Sequence, residues 1–225
     1  MAGPIALNFH KQPPEYPFKG VWFPVRIFLQ QSDGEPKCGN DLQISLRLFY
    51  HETPKQLAPA GLLEIEGVAN NLLSIRKDNG SCDATLRIAA CSMEMENREF
   101  MLIAEAVDAE EVLGAKVVDG LSNAMKVMRH RLAIDEERLK WEETWYKDEG
   151  GRDKCIEIPV RLVDAEDQLV THRKLRLKVT LLYESNLQVT DQTILKLFPA
   201  HGPALSHEGA STAELLVEDG VAVAR

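Results

Sequence analysis

The sequence predicts a mainly β protein: two tandem immunoglobulin-like antiparallel β-sandwich repeats, the second incomplete, joined by a short helical linker. Three observations lead there. Short segments of period-two hydrophobicity stand between Gly, Pro, Asn and Asp clusters, without the strand-then-long-helix alternation that a parallel α/β sheet requires. Four of those segments recur, in the same order, in the second half of the chain. The 225 residues, 44% hydrophobic and 27% charged, suffice for two cores of about 100 residues each.

The first sandwich is expected over residues 1–134. It opens on the proline-rich LNFHKQPPEYPFKG and enters a strand at VWFPVRI (21–27). In DLQISLRLFY, Leu42, Ile44, Leu46 and Leu48 alternate with Gln43, Ser45 and Arg47, the mark of a strand with one buried and one wet face. LLEIEG (62–67), the Gly-led turn and strand NGSCDATLRI (79–88) and REFMLIAEAV (98–107) follow. LSNAMKVMRHRLAI (121–134) is expected to close the sandwich as a strand. Its Leu121, Met125, Met128 and Leu132 also fall on a helical stripe, but a sheet begun by the preceding strands needs an edge partner. DEERLKWEETWYKDEGG (135–151) reads as the helical linker, with a Glu136–Lys140 pair at i,i+4, apolar surface from Leu139, Trp141 and Trp145, and a stop at Gly150-Gly151.

The second sandwich, 152–225, repeats the first. IEIPVRLV echoes VWFPVRIF, setting Pro159-Val160-Arg161 against Pro24-Val25-Arg26. KLRLKVTLLY echoes DLQISLRLFY, ILKLFP (194–199) echoes LLEIEG, and EGASTAELLV (208–217) echoes NGSCDATLRI. The offset falls from 135 residues (Pro24 to Pro159) through 133 (Tyr50 to Tyr183) to 129 (Gly80 to Gly209), shrinking only across loops. Beyond the last match the first copy continues through two further strands, whereas the second reaches Arg225 shortly after Val217. The second copy is therefore expected to lack about two strands. The uncovered edge would be a truncation, a site for a partner strand, or a surface for self-association.

Charge and motif narrow the function classes. A formal net charge of −9 repels phosphate backbone, so DNA binding would need a local basic patch. The opening apolar run is too short for a secretory or membrane segment, and an intracellular, cytoplasmic or nuclear location is expected. Cys38, Cys82, Cys91 and Cys155 form no C-x-x-C pair and are expected as free thiols. His10, His51, His130, His172, His201 and His207 include no H-x-x-x-H pair, and no nucleophile elbow or phosphate loop occurs. No metal, cofactor or catalytic residue is expected. The acidic runs at 108–111 and 135–137 read as exposed linker charge.

The order of LNFHKQPPEYPFKGVWFPVRI, a sandwich, then REFMLIAEAV and SNAMKVMRHRL resembles the layout of the Rel and Runt immunoglobulin-fold transcription factors over roughly residues 7–134. The resemblance implies a late strand whose basic residues contact nucleic acid. Lys126, Arg129, His130 and Arg131 are the candidates, suited to phosphate by charge and donor count, though the same residues also suit a solvated face. The Arg-rich recognition loop of that family is replaced by EYPFKGVWF, where Lys19 is the only basic residue. The function expected is a non-enzymatic protein–protein interaction module, with a role in transcriptional regulation as its extension. The alternatives are a DNA-binding regulator and, more remotely, an enzyme with a dispersed site.

Overall fold

The computed structural model describes residues 4–31, 34–139, 157–180, 182, 185 and 212–224. They form two compact units, Met1–Arg129 and His130–Arg225. No helix among the described residues is long and apolar enough to cross a membrane.

The first unit contains β1 (Ile5–Lys11), β2 (Phe23–Gln30), β3 (Leu42–Tyr50), β4 (Thr53–Leu57), β5 (Leu63–Ile65), β6 (Leu72–Ile75), β7 (Ser81–Ile88), β8 (Phe100–Ala106), the short helix α1 (Ala109–Leu113), β9 (Val117–Val118) and β10 (Gly120–Leu121). One sheet runs β5-β7-β2-β1-β9 and the other β10-β8-β3-β4, with β6 also on β3. The strands alternate as their sequences do, so Leu7, Val25, Ile27 and Leu29 meet Leu42, Ile44, Leu46, Phe100 and Leu102 in one buried cluster. The last strand serves both sheets. β9 pairs in parallel with β1, and β10, two residues on, pairs with β8. The sandwich is thereby closed along that side.

The second unit contains β11 (Arg131–Ile134), β12 (Ile158–Val163), β13 (Leu175–Thr180), β14 (Thr212–Val217) and β15 (Val221–Ala224). β11, β12 and β15 form one sheet, and β13 and β14 the other. Leu162, Val170, Leu215, Val217, Ala222 and Ala224 make its core.

The two units are a structural repeat, and their hydrogen bonds fix its register. In the first, Lys37 N–H donates to Leu29 O, Gln31 N–H to Glu35 O and Gly34 N–H to Gln31 O, at 2.7, 3.0 and 3.0 Å. In the second, Val170 N–H donates to Leu162 O, Asp164 N–H to Gln168 O and Asp167 N–H to Asp164 O, at 2.9, 3.1 and 3.3 Å. Every residue is displaced by the same 133 positions, as from Leu29 to Leu162. Strand pairing agrees: Leu42↔Ile75 and Ile44↔Leu73 in β3–β6 become Leu175↔Val217 and Leu177↔Leu215 in β13–β14. The glycine that ends each following hairpin accepts from the same strand: Leu29 N–H donates to Gly80 O at 2.9 Å and Leu162 N–H to Gly220 O at 2.8 Å. Both glycines have positive φ, 62° and 79°, and a Cβ on either would crowd the backbone carbonyl of Lys37 or of its equivalent Val170. The hairpin itself differs. Four residues separate Arg76 from Ser81, but only Asp219-Gly220 separate Glu218 from Val221.

This register corrects three sequence expectations. The Pro-Val-Arg echo is two residues out of step, since Pro159 occupies the position of Arg26, not Pro24. The equivalent of β14 is β6, not β7, and Gly80 matches Gly220, not Gly209. Residues 121–134 do not close the first sandwich as one strand. Met125 and Val127 are buried, but they run as extended chain between Phe100 and the 15–19 loop, with Met125 N–H donating to Phe100 O at 2.7 Å and Met128 N–H to Pro17 O at 2.8 Å. Arg131–Ile134 pairs instead with β12, so the boundary falls at 129/130 rather than 134. Of the expected linker helix, residues 135–139 form turns, and 140–151 lie outside the described residues, as does the 194–199 strand. The 108–111 run is not mere linker charge: it begins α1, and the Asp108 carboxylate accepts from Gln43 N–H at 2.9 Å.

Candidate functional site: an uncovered sandwich face

The repeat allows each exposed residue of the second unit to be compared with its counterpart in the first. β11 lies on β12 as β1 lies on β2, with Leu132↔Leu162 and Ile134↔Val160 standing for Leu7↔Leu29 and Phe9↔Ile27. Directly opposed residues point to the same side of an antiparallel pair. Leu162 and Val160 are buried, so Leu132 and Ile134 point inward too. Leu7 and Phe9 are 1% and 6% exposed, whereas Leu132 and Ile134 are 44% and 55% exposed. The first pair is covered because the β9–β10 strand runs against β1, so close that a Cβ on Gly120 would stand 2.8 Å from Leu7 O. β8 also sends Phe100 and Leu102 into the same cluster. Among the described residues of the second unit no strand takes the place of β8 or β10.

The opposite sheet carries the same signature. Leu175 and Leu177, the counterparts of the fully buried Leu42 and Ile44, are only partly buried. The outward positions of β13 are cationic. Lys174 donates to the Glu218 carboxylate at 2.7 Å, which raises the lysine's pKa. Arg176 and Lys178 are exposed, and neither has an ion-pair partner among the described residues.

The four residues singled out for phosphate contact do not form one set. Lys126 and Arg129 belong to the first unit, His130 and Arg131 to the second. Arg129 and Lys19 both bind the Glu94 carboxylate, Lys19 at 2.9 Å. The Lys19 hydrogen bond and the Cys91 N–H hold Glu94 down at a pKa of about 2. Arg131 binds Asp167, and His130 stands edge-on to His172 with 6.2 Å between ring centroids. Lys126 is half-buried, its backbone N–H bound to Glu15 O at 2.8 Å. Charges adjacent in sequence are thus spent locally on carboxylates that lie 35 or 36 residues away.

A pocket of about 510 Å³ beside Ile134 brings Asp135, Glu136 and Glu137 together with Arg138 and Arg161, and is lined by no Ser, Thr, Cys or His. Among the described residues no group of three His, Cys, Asp or Glu could hold a metal ion. Cys82 is buried with its thiol pushed up to about 11 by desolvation, the opposite of an activated nucleophile.

Neither a protein-family model nor a curated protein matches the chain. Among solved structures, it is similar to the Escherichia coli adhesin FdeC at 13% identity, covering 100% of this chain and 55% of that one, with a TM-score of 0.32. Domains 5–6 of the S-layer protein SbsC give 10% identity, 98% and 85% coverage and 0.32. The Yersinia pseudotuberculosis adhesin InvE gives 13% identity, 98% and 50% coverage and 0.30. The chain thus spans about half the length of the two adhesins. The immunoglobulin-like fold is read here from strand order and register.

Proposed function

We propose that the chain is a non-enzymatic protein-binding module built from tandem β-sandwiches, whose binding surface is the uncovered face of the second. The observation that carries this reading is the contrast between Leu132 and Ile134 and their buried counterparts Leu7 and Phe9. Burying an aliphatic side chain is worth about 1.5–3 kcal/mol. Two such residues on the inward side of a sheet therefore favour any partner that covers them. Nothing in the geometry points to a role in transcription. The test compares crosslinked partners of the native chain with those of the double variant Leu132→Asp, Ile134→Asp. Partners held by the native chain should be lost from the variant, while circular dichroism shows the fold kept. Equal recovery by both proteins would sink the proposal.

A further inference from the structure

β3 is flanked on both edges, by β6 over Leu42–Ser45 and by β8 over Ile44–Tyr50. Its counterpart β13 has β14 on the β6 side. Among the described residues the β8 side of β13 carries no strand. We infer that this edge accepts an antiparallel strand from a partner protein, apolar at alternate, inward positions and carrying a carboxylate opposite Lys178. The inference rests on the protein-binding reading above and narrows it to one edge and one strand chemistry.

The first unit supplies the template. β8 sets Ala106 against Ile44, Glu105 against Ser45 and Ala104 against Leu46. Displaced by the repeat offset, those three positions of β3 become Leu177, Lys178 and Val179. The incoming strand therefore needs small inward residues beside Leu177 and Val179, and bulkier ones further along, as β8 has in Leu102 and Phe100. Those two share the cluster that holds Leu7 and Phe9, so their equivalents would reach toward Leu132 and Ile134. On the outward side Glu105 forms an ion pair with Arg47 across the two strands. β13 replaces Gln43 and Ser45 with Arg176 and Lys178, which favours an acidic strand there. The same cations argue against a second copy of this chain as the occupant. Two β13 edges paired antiparallel would set Arg176 and Lys178 against their own kind, an arrangement that keeps sheet edges apart.

The chain's own REFMLIAEAVD (98–108) is the natural probe. A fluorescein-labelled peptide of that sequence should bind the full chain in an anisotropy titration, and slow amide exchange at residues 175–179. Replacing the peptide residue that corresponds to Glu105 by Lys should weaken binding at least tenfold. The chain variant Lys178→Glu should lose the native peptide to the same degree and recover the Lys-bearing one. Lack of protection at 175–179, or binding indifferent to the charge exchange, would overturn strand addition. Protection of those amides by raising the concentration of the chain alone would overturn the partner in favour of a second copy. If Leu132→Asp, Ile134→Asp still abolishes partner crosslinking while the peptide fails, the binding module stands and only its strand mode falls.

Discussion

The two units share a hydrogen-bonded frame but not a finished core. In the first, the inward residues of β1 and β3 are sealed by β8 and by the strand that passes from β9 to β10. In the second, the same frame is present, and its inward residues on β11 and β13 stay partly open. A sandwich's register is thus set by local hairpins and pairing, while its burial depends on strands added later in the chain. That distinction explains how an uncovered apolar face can persist on a well-ordered sheet.

The sharpest way to break the comparison is at equivalent inward leucines. Leu7→Ala should cost about 3 kcal/mol, in the range for emptying a sealed site, whereas Leu132→Ala should stay within about 0.5 kcal/mol. Denaturant melts of the two variants measure this. Equal losses would mean that the second face is already covered. Next come the hairpin glycines. Gly80→Ala would force a Cβ to 2.7 Å from Lys37 O, while at Gly220 the nearest atoms stand at 3.3 Å. Both positions have positive φ, so the expected costs are about 2 kcal/mol and about 1 kcal/mol respectively, again read from melts.

The smallest expected difference is electrostatic and belongs to the first unit. Glu94 is depressed from 4.5 to about 2, so its stabilisation is complete above the unfolded value and disappears as pH falls through the folded one. Its side chain is 33% exposed, and solvent screening reduces the effect. Glu94→Gln should therefore cost about 1 kcal/mol at pH 7, with native and variant stabilities converging between pH 4.5 and about 2. A constant gap down to pH 2 would assign the effect to packing. Because Glu94 binds Arg129 and Lys19, a gel shift of the native chain with duplex DNA at low salt is expected to show no complex. Binding that appears only in Glu94→Gln would show that the carboxylate masks a phosphate site.

Much of the fold was legible because half-buried strands carry a period of two. Leu42, Ile44, Leu46 and Leu48 declare β3 without help, and Leu175, Leu177 and Val179 declare β13. The repeat was legible too, but its register was not. The Pro-Val-Arg match is wrong by two residues, a slip that leaves every side chain on its own face, so the hydrophobic pattern cannot detect it. Backbone hydrogen bonds can. Met125 and Val127 misled for a related reason. They alternate with polar neighbours and are buried, yet they are bound through isolated bridges to Phe100 and Phe18–Lys19 rather than through a ladder. The basic stretch 126–131 misled because sequence adjacency says nothing about Glu94 or Asp167, which neutralise its arginines from distant strands. The uncovered edge was expected from counting strands, but not which strand would bear it.

The two-residue connection at Asp219-Gly220 bears on the order in which the second unit assembles. Glu218 and Val221 exchange both backbone hydrogen bonds, at 3.1 and 2.9 Å, and both turn residues have positive φ, 50° and 79°. Such a ribbon closes over a very short contour, in microseconds, without any long-range contact. The longer turn between β6 and β7 lacks that head start. β14 and β15 therefore form a kinetic nucleus onto which β12 and β13 condense. The acceptor edge would then be in place before any partner arrives, and recognition would be limited by encounter rather than by folding.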